Sequence, residues 1–240
     1  MATVLHVYPG HGGAGASLLA AGLAWVISAH RATVLVDVDP ASGGVDLLFG
    51  CADAPGVRWP ALAAIGWPLD GPSLVGALPR CAELSLLTCE RSVPHRLPAA
   101  LIAEVVDALT RAGCAVVVDH ATAHPVDPPG GHSLIVTATE ARSVAACARR
   151  ITARPPAGSG GSLRQLVTRG LPHGGPTPEV VADVLGLPLL AHLPFDRRLP
   201  GQLADDGVPS LGRRSPLLRT ARRIADLLGC DEAADGRLTA

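Results

Sequence analysis

Lysine is absent from this 240-residue sequence, and all 20 basic residues are arginines. Aromatic residues make up only 2% of the chain, which leaves few side chains on which nucleic-acid bases could stack. A packed core must therefore be built from alanine, valine, leucine and isoleucine. The formal net charge is −1, so no overall field favours nucleic acid or acidic lipid, and such contacts would need a local basic patch.

The sequence also lacks an apolar run long enough to span a bilayer, since its longest, residues 18–27, has the length of a buried helix. Its first residues carry no basic stretch before the apolar run, which argues against a signal peptide. None of the six cysteines forms a CxxC pair or a zinc-like spacing with histidine. Cys114 and Cys147 lie in apolar surroundings typical of core residues. We therefore expect a cytoplasmic protein.

Short apolar runs alternate with longer amphipathic segments along the chain, and hydrophobic residues make up 48% of it. This pattern predicts strands at residues 3–8, 33–38, 83–89, 115–118, 134–137, 165–168 and 187–193. It predicts helices at residues 16–30, 98–112, 140–151, 178–186 and 216–228, with a loop and a short helix near 60–65. Alternating strands and helices indicate an α/β fold with a doubly wound, mostly parallel sheet flanked by helices.

A glycine-rich segment joins the first predicted strand to the first predicted helix. It holds four glycines in six residues and reads Gly10-His11-Gly12-Gly13-Ala14-Gly15-Ala16-Ser17. Glycine lets the backbone turn tightly and approach a ligand, and the N–H groups at a helix N-terminus favour an anion. The segment therefore predicts a phosphate-binding loop, with a glycine-rich turn that binds nothing as the alternative.

Two nucleotide-binding patterns fit this segment. Gly10, Gly12 and Gly15 satisfy G-x-G-x-x-G, and Asp37 ends the next predicted strand about 20 residues later, as in dinucleotide-binding proteins. On this pattern the chain is an NAD- or FAD-binding enzyme. The second pattern is the deviant Walker A loop, K-G-G-x-G-K-[ST], which residues 12–15 and Ser17 match except at the lysines.

The chain resembles the MinD/ParA family of P-loop ATPases over nearly its whole length. After the loop, residues 34–40 and 43–46 are similar to the family's second strand and switch I. Residues 116–119 are similar to its Walker B strand, and residues 187–196 to its terminal strand and proline-containing nucleotide loop. Four matches in the family's order favour this resemblance over the dinucleotide pattern. The resemblance implies the MinD/ParA-like P-loop fold.

Within that family the chain is most similar to the actinobacterial CpaE/TadZ-like and Ssd (septum site-determining) proteins. Those proteins often carry an upstream receiver-like domain, and we expect a single domain over residues 1–240 without it. The resemblance implies a homodimer that faces itself across two nucleotides. It also implies partners in a pilus, secretion or division machinery, and a place at a cell pole or septum.

The resemblance assigns roles around a bound nucleotide. Residues 10–17 would hold the phosphates of ATP or ADP with Mg²⁺. Ser17 would be a direct Mg²⁺ ligand, and Asp119 would hold the metal through water. Asp39 would position the attacking water or lie near the metal, and Asp37 would support switch I.

Three further residues are nucleotide contacts by resemblance: Thr168, Arg169 and Pro194. Thr168 stands where the family often has an adenine-reading asparagine at a strand end. A hydroxyl offers less than the paired donor and acceptor of an amide, so adenine selectivity is expected to be weak.

The loop departs from the family at both of its lysines. By resemblance, His11 stands where one lysine reaches across the dimer, and Ala16 where the other contacts the β- and γ-phosphates. A lysine about 4 Å from a phosphate oxygen contributes about 4 kcal/mol at an effective dielectric near 20. If half to all of this arises only in the transition state, its loss slows hydrolysis about 30- to 1,000-fold. We therefore expect weakened nucleotide binding with very slow or absent hydrolysis. The alternative is an active ATPase with phosphate contacts from residues other than lysine.

A basic cluster lies at the last predicted helix, whose apolar residues recur at helical spacing. The simplest interpretation is a docked helix with a solvated basic face. The functional interpretation is a weak contact with DNA or an anionic membrane surface. Its members are Arg213, Arg214, Arg219, Arg222 and Arg223.

Overall fold

The computed structural model describes residues 3–39, 42–65, 67–91, 97–120, 130–153, 163–205 and 207–230. Within these ranges eight strands form one sheet: β1 (Val4–Pro9), β2 (Thr33–Asp37), β3 (Arg80–Cys81), β4 (Leu84–Leu87), β5 (Ala115–Asp119), β6 (His132–Ala138), β7 (Leu163–Arg169) and β8 (Leu189–Leu193). The same ranges contain the helices α1 (Ala16–Ser28), α2 (Trp59–Ala63), α3 (Gly71–Ala77), α4 (Ala99–Arg111), α5 (Ala141–Ala153), α6 (Pro178–Leu185), α7 (Leu199–Asp205) and α8 (Pro216–Leu227). They also contain two 3-10 helices, Val45–Phe49 and Val208–Ser210.

The strands run in the order β3-β4-β2-β5-β1-β6-β7-β8. Every pair is parallel except β3 with β4, which is antiparallel. This confirms the predicted fold class, a doubly wound and mostly parallel sheet flanked by helices. Because β5 lies between β1 and β2, the order differs from that of dinucleotide-binding folds, where the first two strands are neighbours. The topology therefore argues against the dinucleotide alternative.

Helices cover both faces of the sheet, because successive strand residues point to opposite sides and both sets are apolar. α1 and α8 cover one face, where Leu19 and Leu217 are fully buried. A Cβ atom on Gly22 would lie 3.2 Å from Leu217 Cγ, so the glycine lets these two helices approach closely. α4 covers the other face through buried Val105 and Leu109.

The predicted strands and helices are confirmed to within a few residues, but five short elements were missed: the 3-10 helices Val45–Phe49 and Val208–Ser210, the helices α3 and α7, and the strand β3. The 3-10 helix Val45–Phe49 follows Gly43 and Gly44. α3 begins after Asp70, whose carboxylate accepts a hydrogen bond from Ser73 N, a capping signal that was present in the sequence. β3 is only two residues long and turns into β4 through Ala82 at φ 50°, where neither glycine nor asparagine marks the turn.

No helix in the described ranges combines the length and the apolar character needed to cross a bilayer.

Candidate functional site

The glycine-rich loop lies at the carboxyl edge of the sheet. β1, β2 and β5 end there at Pro9, Asp37 and Asp119, and the loop joins β1 to α1. Asp37 is the register partner of Asp119 across the β2–β5 pair. In open α/β sheets, ligands bind in the crevice beyond the carboxyl ends of the strands. The structure therefore brings the loop and two predicted carboxylates into the position expected for a ligand site.

Glycine is required in this loop for two different reasons. A Cβ atom on Gly10 would lie 2.7 Å from Cys147 Sγ, so no side chain fits between the loop and α5. Gly13 at φ 73° and Gly15 at φ 92° adopt the left-handed conformation that favours glycine. At Gly12 and Gly13, by contrast, a Cβ atom would have no neighbour within 4 Å. The outer side of the loop therefore faces open space.

Several N–H groups of the loop are available to a ligand. Within the described ranges, no backbone or side-chain acceptor receives the N–H groups of Gly12, Gly13 or Gly15. The N–H groups of Ala16 and Ser17 belong to the first turn of α1, where no intrahelical acceptor exists. Together these donors and the positive end of α1 favour an anion such as phosphate.

Two arginines hold the loop through its carbonyl groups. Arg169 at the end of β7 donates from Nε to Ala14 O at 3.0 Å and from Nη2 to Gly13 O at 3.2 Å. Arg150 on α5 donates to Pro9 O at 3.0 Å. Because C=O and N–H point in opposite directions across a trans peptide, the bond to Ala14 O turns the Gly15 N–H away from Arg169. Arg169 thus shapes the loop, and its guanidinium contacts loop carbonyls in this structure.

His11 is turned inward. Its Nε2 atom accepts a hydrogen bond from Ala138 N at 3.2 Å, and its Nδ1 atom lies 2.7 Å from Gly12 O. A ring nitrogen that accepts carries no proton, so Nδ1 is the donor and the imidazole is neutral in this arrangement. Ala16 is buried in the first turn of α1. Neither position that the family fills with lysine presents a positive charge to the loop.

Asp37 and Asp119 are buried side by side at the strand ends. Burial raises the pKa of Asp37 to about 6, although hydrogen bonds from Asp39 N, Ser42 Oγ and Val45 N favour its charged form. Burial and the neighbouring Asp37 raise the pKa of Asp119 well above its usual range.

Neither carboxylate oxygen of Asp119 has a hydrogen-bond partner in the part of the chain that the structure describes. The nearby Ser17 hydroxyl opposes the rise in the pKa of Asp119, but it does not reach hydrogen-bonding geometry with either oxygen. Among the described residues, Asp119 is thus a buried carboxylate without a compensating partner.

The hydroxyl oxygen of Ser17 and the carboxylate oxygens of Asp119 fit a Mg²⁺ ion. Carboxylate and hydroxyl oxygens are its preferred ligands, and a cation would compensate the buried oxygens of Asp119. Within the described ranges no three His, Cys, Asp or Glu side chains form a complete metal site. Mg²⁺ usually keeps several waters and binds through one or two protein ligands with substrate phosphates, so a full set of protein ligands is not required. Ser17 and Asp119 would hold the ion, with Asp39 partly exposed beside them.

The three predicted contacts away from the loop lie on β7 and directly after the neighbouring strand β8. Thr168 is fully buried, and its hydroxyl lies 2.9 Å from His192 Nδ1. Burial lowers the pKa of His192, so the neutral ring is favoured. Pro194 is exposed directly after β8. Of the three, Arg169 contacts the loop, whereas the Thr168 hydroxyl is engaged inside the sheet.

Sequence reasoning missed a charged cluster beside the switch-like segment. Asp46 has no exposed surface, and it forms ion pairs with Arg58, at 3.0 Å, and with Arg91. Arg91 also donates from Nε to Gly43 O at 2.7 Å. No local spacing marks these arginines, because they lie 12 and 45 residues from Asp46 along the chain. The cluster holds residues 43–46 in place.

Of the basic cluster near the C-terminus, Arg219, Arg222 and Arg223 lie on α8, and Arg213 and Arg214 lie just before it. The other side of α8 packs against the core through Leu217, Ala221 and Ile224. Arg222 donates to Arg213 O at 2.9 Å. In the described ranges no carboxylate forms an ion pair with these arginines, which are Arg213, Arg214, Arg219, Arg222 and Arg223. The docked helix with a basic outer face is thus present.

Sequence comparison finds one related protein in two strains of Mycobacterium tuberculosis, an uncharacterized protein that is 39% identical over 240 residues. The match covers 98% of this chain and 65% of the relative, so the chain spans less than two thirds of that protein's length. No protein-family model matches the chain.

Solved structures show the same fold. A ParA family ATPase from Chlorobium tepidum has a TM-score of 0.76 at 16% identity, covering 94% of this chain and 98% of its own. The MinD cell division protein of Aquifex aeolicus has a TM-score of 0.75 at 16% identity, covering 97% and 99%. The septum site-determining protein MinD of Pyrococcus horikoshii, solved with Mg-ADP, has a TM-score of 0.67 at 16% identity, covering 95% and 96%. The fold is therefore that of the MinD and ParA ATPases.

Proposed function

We propose that this chain, which shares the fold of the MinD and ParA ATPases, is a nucleotide-binding positioning protein that hydrolyses ATP very slowly or not at all. The observation that carries the proposal is the open glycine loop: within the described ranges the N–H groups of Gly12, Gly13 and Gly15 have no acceptor, and the loop itself contains no lysine or arginine. It combines the means to hold a phosphate chain with the loss of the groups that would speed its cleavage.

Binding is supported by the contacts of the loop and the strand ends. The backbone N–H groups of Gly12, Gly13, Gly15, Ala16 and Ser17 would hold the phosphates of ATP or ADP, and Mg²⁺ would compensate Asp119. The loop is already shaped by Arg169 and Arg150, so little ordering cost accompanies binding. Pro194 lies beside the base position inferred from the family, and adenine selectivity is weak because the Thr168 hydroxyl already contacts His192.

Slow hydrolysis follows from the charges that the site lacks. Phosphoryl transfer depends on cations that stabilise the charge spread over the transferred group. Ala16 offers none, and His11 would gain a charge only by giving up its bond from Ala138 N. Asp39 retains the place of a water-positioning residue, so chemistry at a low rate is compatible with the site.

The positioning role rests on the shared fold and on the outer face of α8. We infer a homodimer that marks a pole or septum and recruits division, pilus or secretion proteins. The arginines on and just before α8, which form no ion pair within the described ranges, would add a weak contact with DNA or with an anionic membrane surface. As in the CpaE/TadZ-like and Ssd proteins, the output would be recruitment rather than turnover.

Equilibrium titration of fluorescently labelled ATP and ADP, with Mg²⁺ or with excess chelator, tests binding. We expect saturable, Mg²⁺-dependent binding that Gly12→Ala weakens more than about tenfold, because the new methyl group occupies the space meant for phosphate. Gly76→Ala is the matched control, since Gly76 also has no neighbour within 4 Å but lies on α3. Absence of binding to the wild-type chain, or equal affinity of Gly12→Ala, would overturn the binding part.

Phosphate release measured on the same samples tests hydrolysis. Turnover of about one per second, at the lower end of typical kcat values, would overturn the proposal that hydrolysis is very slow or absent.

The position of Arg169 supports a second candidate function, an active ATPase in which the Arg169 guanidinium takes the place of a loop lysine. Its guanidinium already lies at the loop, and rotation of its side chain could exchange the carbonyl contacts for a phosphate. In that case the wild-type chain would hydrolyse ATP briskly, and Arg169→Gln would abolish turnover while Arg150→Gln would not.

A further inference from the structure

Two cysteines on separate segments share a single hydrogen-bond acceptor. Cys51 follows the 3-10 helix Val45–Phe49, and Cys81 lies on the edge strand β3. Cys51 Sγ–H donates to Phe49 O at 3.3 Å, and Cys81 Sγ–H donates to the same oxygen at 3.7 Å. Both thiols are free and only partly buried. Two sulfur atoms that lie 3.3 and 3.7 Å from one oxygen are at most about 7 Å apart, a gap that rotation of the two side chains would have to close before an S–S bond forms.

The pKa of Cys51 also reflects its contact with Cys81. Burial, then a hydrogen bond with the Cys81 thiol, raises the pKa of Cys51 to about 12. The other cysteines lie elsewhere: Cys114 is buried just before β5, Cys147 is buried on α5, Cys230 is buried after α8, and Cys89 contacts Asp39 O at 3.8 Å. The convergence is thus specific to one pair, and it joins residues 30 positions apart in sequence.

We propose that Cys51 and Cys81 are a modification site that forms a reversible disulfide with a small oxidised disulfide such as glutathione disulfide. The bridge would fasten the end of the 3-10 helix to the edge of the sheet. It goes beyond nucleotide binding, and its chemistry does not depend on the proposed function.

The reaction is a pair of thiol–disulfide exchanges. The Cys81 thiolate attacks one sulfur of glutathione disulfide, which breaks the S–S bond, forms a mixed disulfide and expels one glutathione thiolate. Cys51 then loses its proton and attacks the Cys81 sulfur, forming the protein bridge and expelling the second glutathione thiolate. Two protein thiols are oxidised, one glutathione disulfide is reduced to two glutathiones, and the two protons pass to the leaving thiolates. We assign the first attack to Cys81 because burial raises the pKa of the Cys51 thiol.

The bridge would stabilise the segment beside the candidate site. Residues 42–51, which end at Cys51, fold back on Asp37, whose carboxylate accepts hydrogen bonds from Ser42 Oγ and Val45 N. Closing a loop of about 30 residues should raise the melting temperature by about 5–10 °C. Amide hydrogen exchange of residues 42–51 should slow in the oxidised chain, because local opening of this segment then requires movement of β3 as well.

The test is incubation of the purified full chain with glutathione disulfide, followed by alkylation of the remaining thiols, intact mass measurement and peptide mapping. We expect four alkylated cysteines instead of six, a mapped Cys51–Cys81 bridge, and recovery of six after dithiothreitol. Cys51→Ser should stop at a glutathione adduct on Cys81. Cys89→Ser, the matched control, should still form the bridge. Melting curves of each variant before oxidation show whether it is folded.

Three results would overturn the proposal. Retention of six alkylated thiols would show that the pair does not react. A stable glutathione adduct on wild-type Cys51 or Cys81 without ring closure would show that the sulfur atoms do not meet. Loss of two thiols in both Cys51→Ser and Cys81→Ser would place the bridge elsewhere.

Discussion

Two buried carboxylates of this protein differ in their contacts. Asp46 is fully buried, and its oxygens form ion pairs with Arg58 and Arg91. Asp119 is 1% exposed, neither of its oxygens has a partner in the described ranges, and the neighbouring charge that most raises its pKa, that of Asp37, has the same sign. A buried charge is costly unless it is paired. The paired carboxylate stabilises the fold, whereas the unpaired one is suited to binding a cation.

The largest effect is expected at the paired site. Asp46→Ala leaves Arg58 and Arg91 without their counter-charge, and removing one partner of a buried ion pair costs about 3–5 kcal/mol. Urea denaturation measures the loss in the free energy of unfolding. Leu47→Ala is a neighbouring control on an exposed side chain, for which a change below about 0.5 kcal/mol is expected. A loss below about 1 kcal/mol for Asp46→Ala would remove the distinction between the two carboxylates.

The two buried aspartates at the strand ends, Asp37 and Asp119, should make the free energy of unfolding depend on pH. The direction should be opposite to that of an ion-paired carboxylate. The pKa of Asp37 is raised to about 6 in the folded chain, and that of Asp119 is raised as well. Between about pH 4 and 6 the folded state therefore binds more protons than the unfolded state, whose aspartates titrate near 3.9.

The free energy of unfolding should fall by about 2–3 kcal/mol as the pH rises from 4 to 7 because of Asp37 alone. Denaturation at several pH values measures this slope. The double variant Asp37→Asn, Asp119→Asn should flatten it, and a slope that persists in that variant would assign it to other groups.

A smaller effect on stability, with a large effect on binding, is expected from Asp119→Asn. This change removes a charge that burial disfavours, so the free energy of unfolding should change by no more than about 1 kcal/mol. Mg²⁺-dependent nucleotide binding should be lost, because the amide cannot replace the carboxylate at a cation. Thermal unfolding and nucleotide titration on the same preparation measure both effects. A loss above about 3 kcal/mol would give Asp119 the structural role of Asp46.

The smallest effect is expected for an ion pair at the surface. Asp107 pairs with Arg111 one turn along α4, and both side chains are about half exposed. Asp107→Ala should lower the free energy of unfolding by about 0.3–0.5 kcal/mol, because water screens the pair. Urea denaturation at low and high salt measures the change. A loss as large as that of Asp46→Ala would show that burial is not what separates these sites.

The sequence was sufficient to predict the parallel sheet and the place of the loop. Asp37 and Asp119 each end an apolar run, and such residues meet at one edge of a parallel sheet. Two kinds of contact could not be predicted. Arg58 and Arg91 reach Asp46 from distant segments, where no period in the sequence links the partners. The inward turn of His11 depends on Ala138 N at the end of β6, a contact that only the folded sheet creates.

The short edge strand β3 affects the tendency of this protein to self-associate at high concentration. A free strand edge is a template to which a second chain can add by backbone pairing, and long apolar edges promote fibrous aggregation. Here the apolar strand β4, with sequence Leu84-Ser85-Leu86-Leu87, is shielded on its outer side by the two residues of β3, one of which is exposed Arg80. Because the edge strand β3 is charged and only two residues long, it offers little length for such pairing. This edge of the sheet is therefore protected against edge-to-edge self-association.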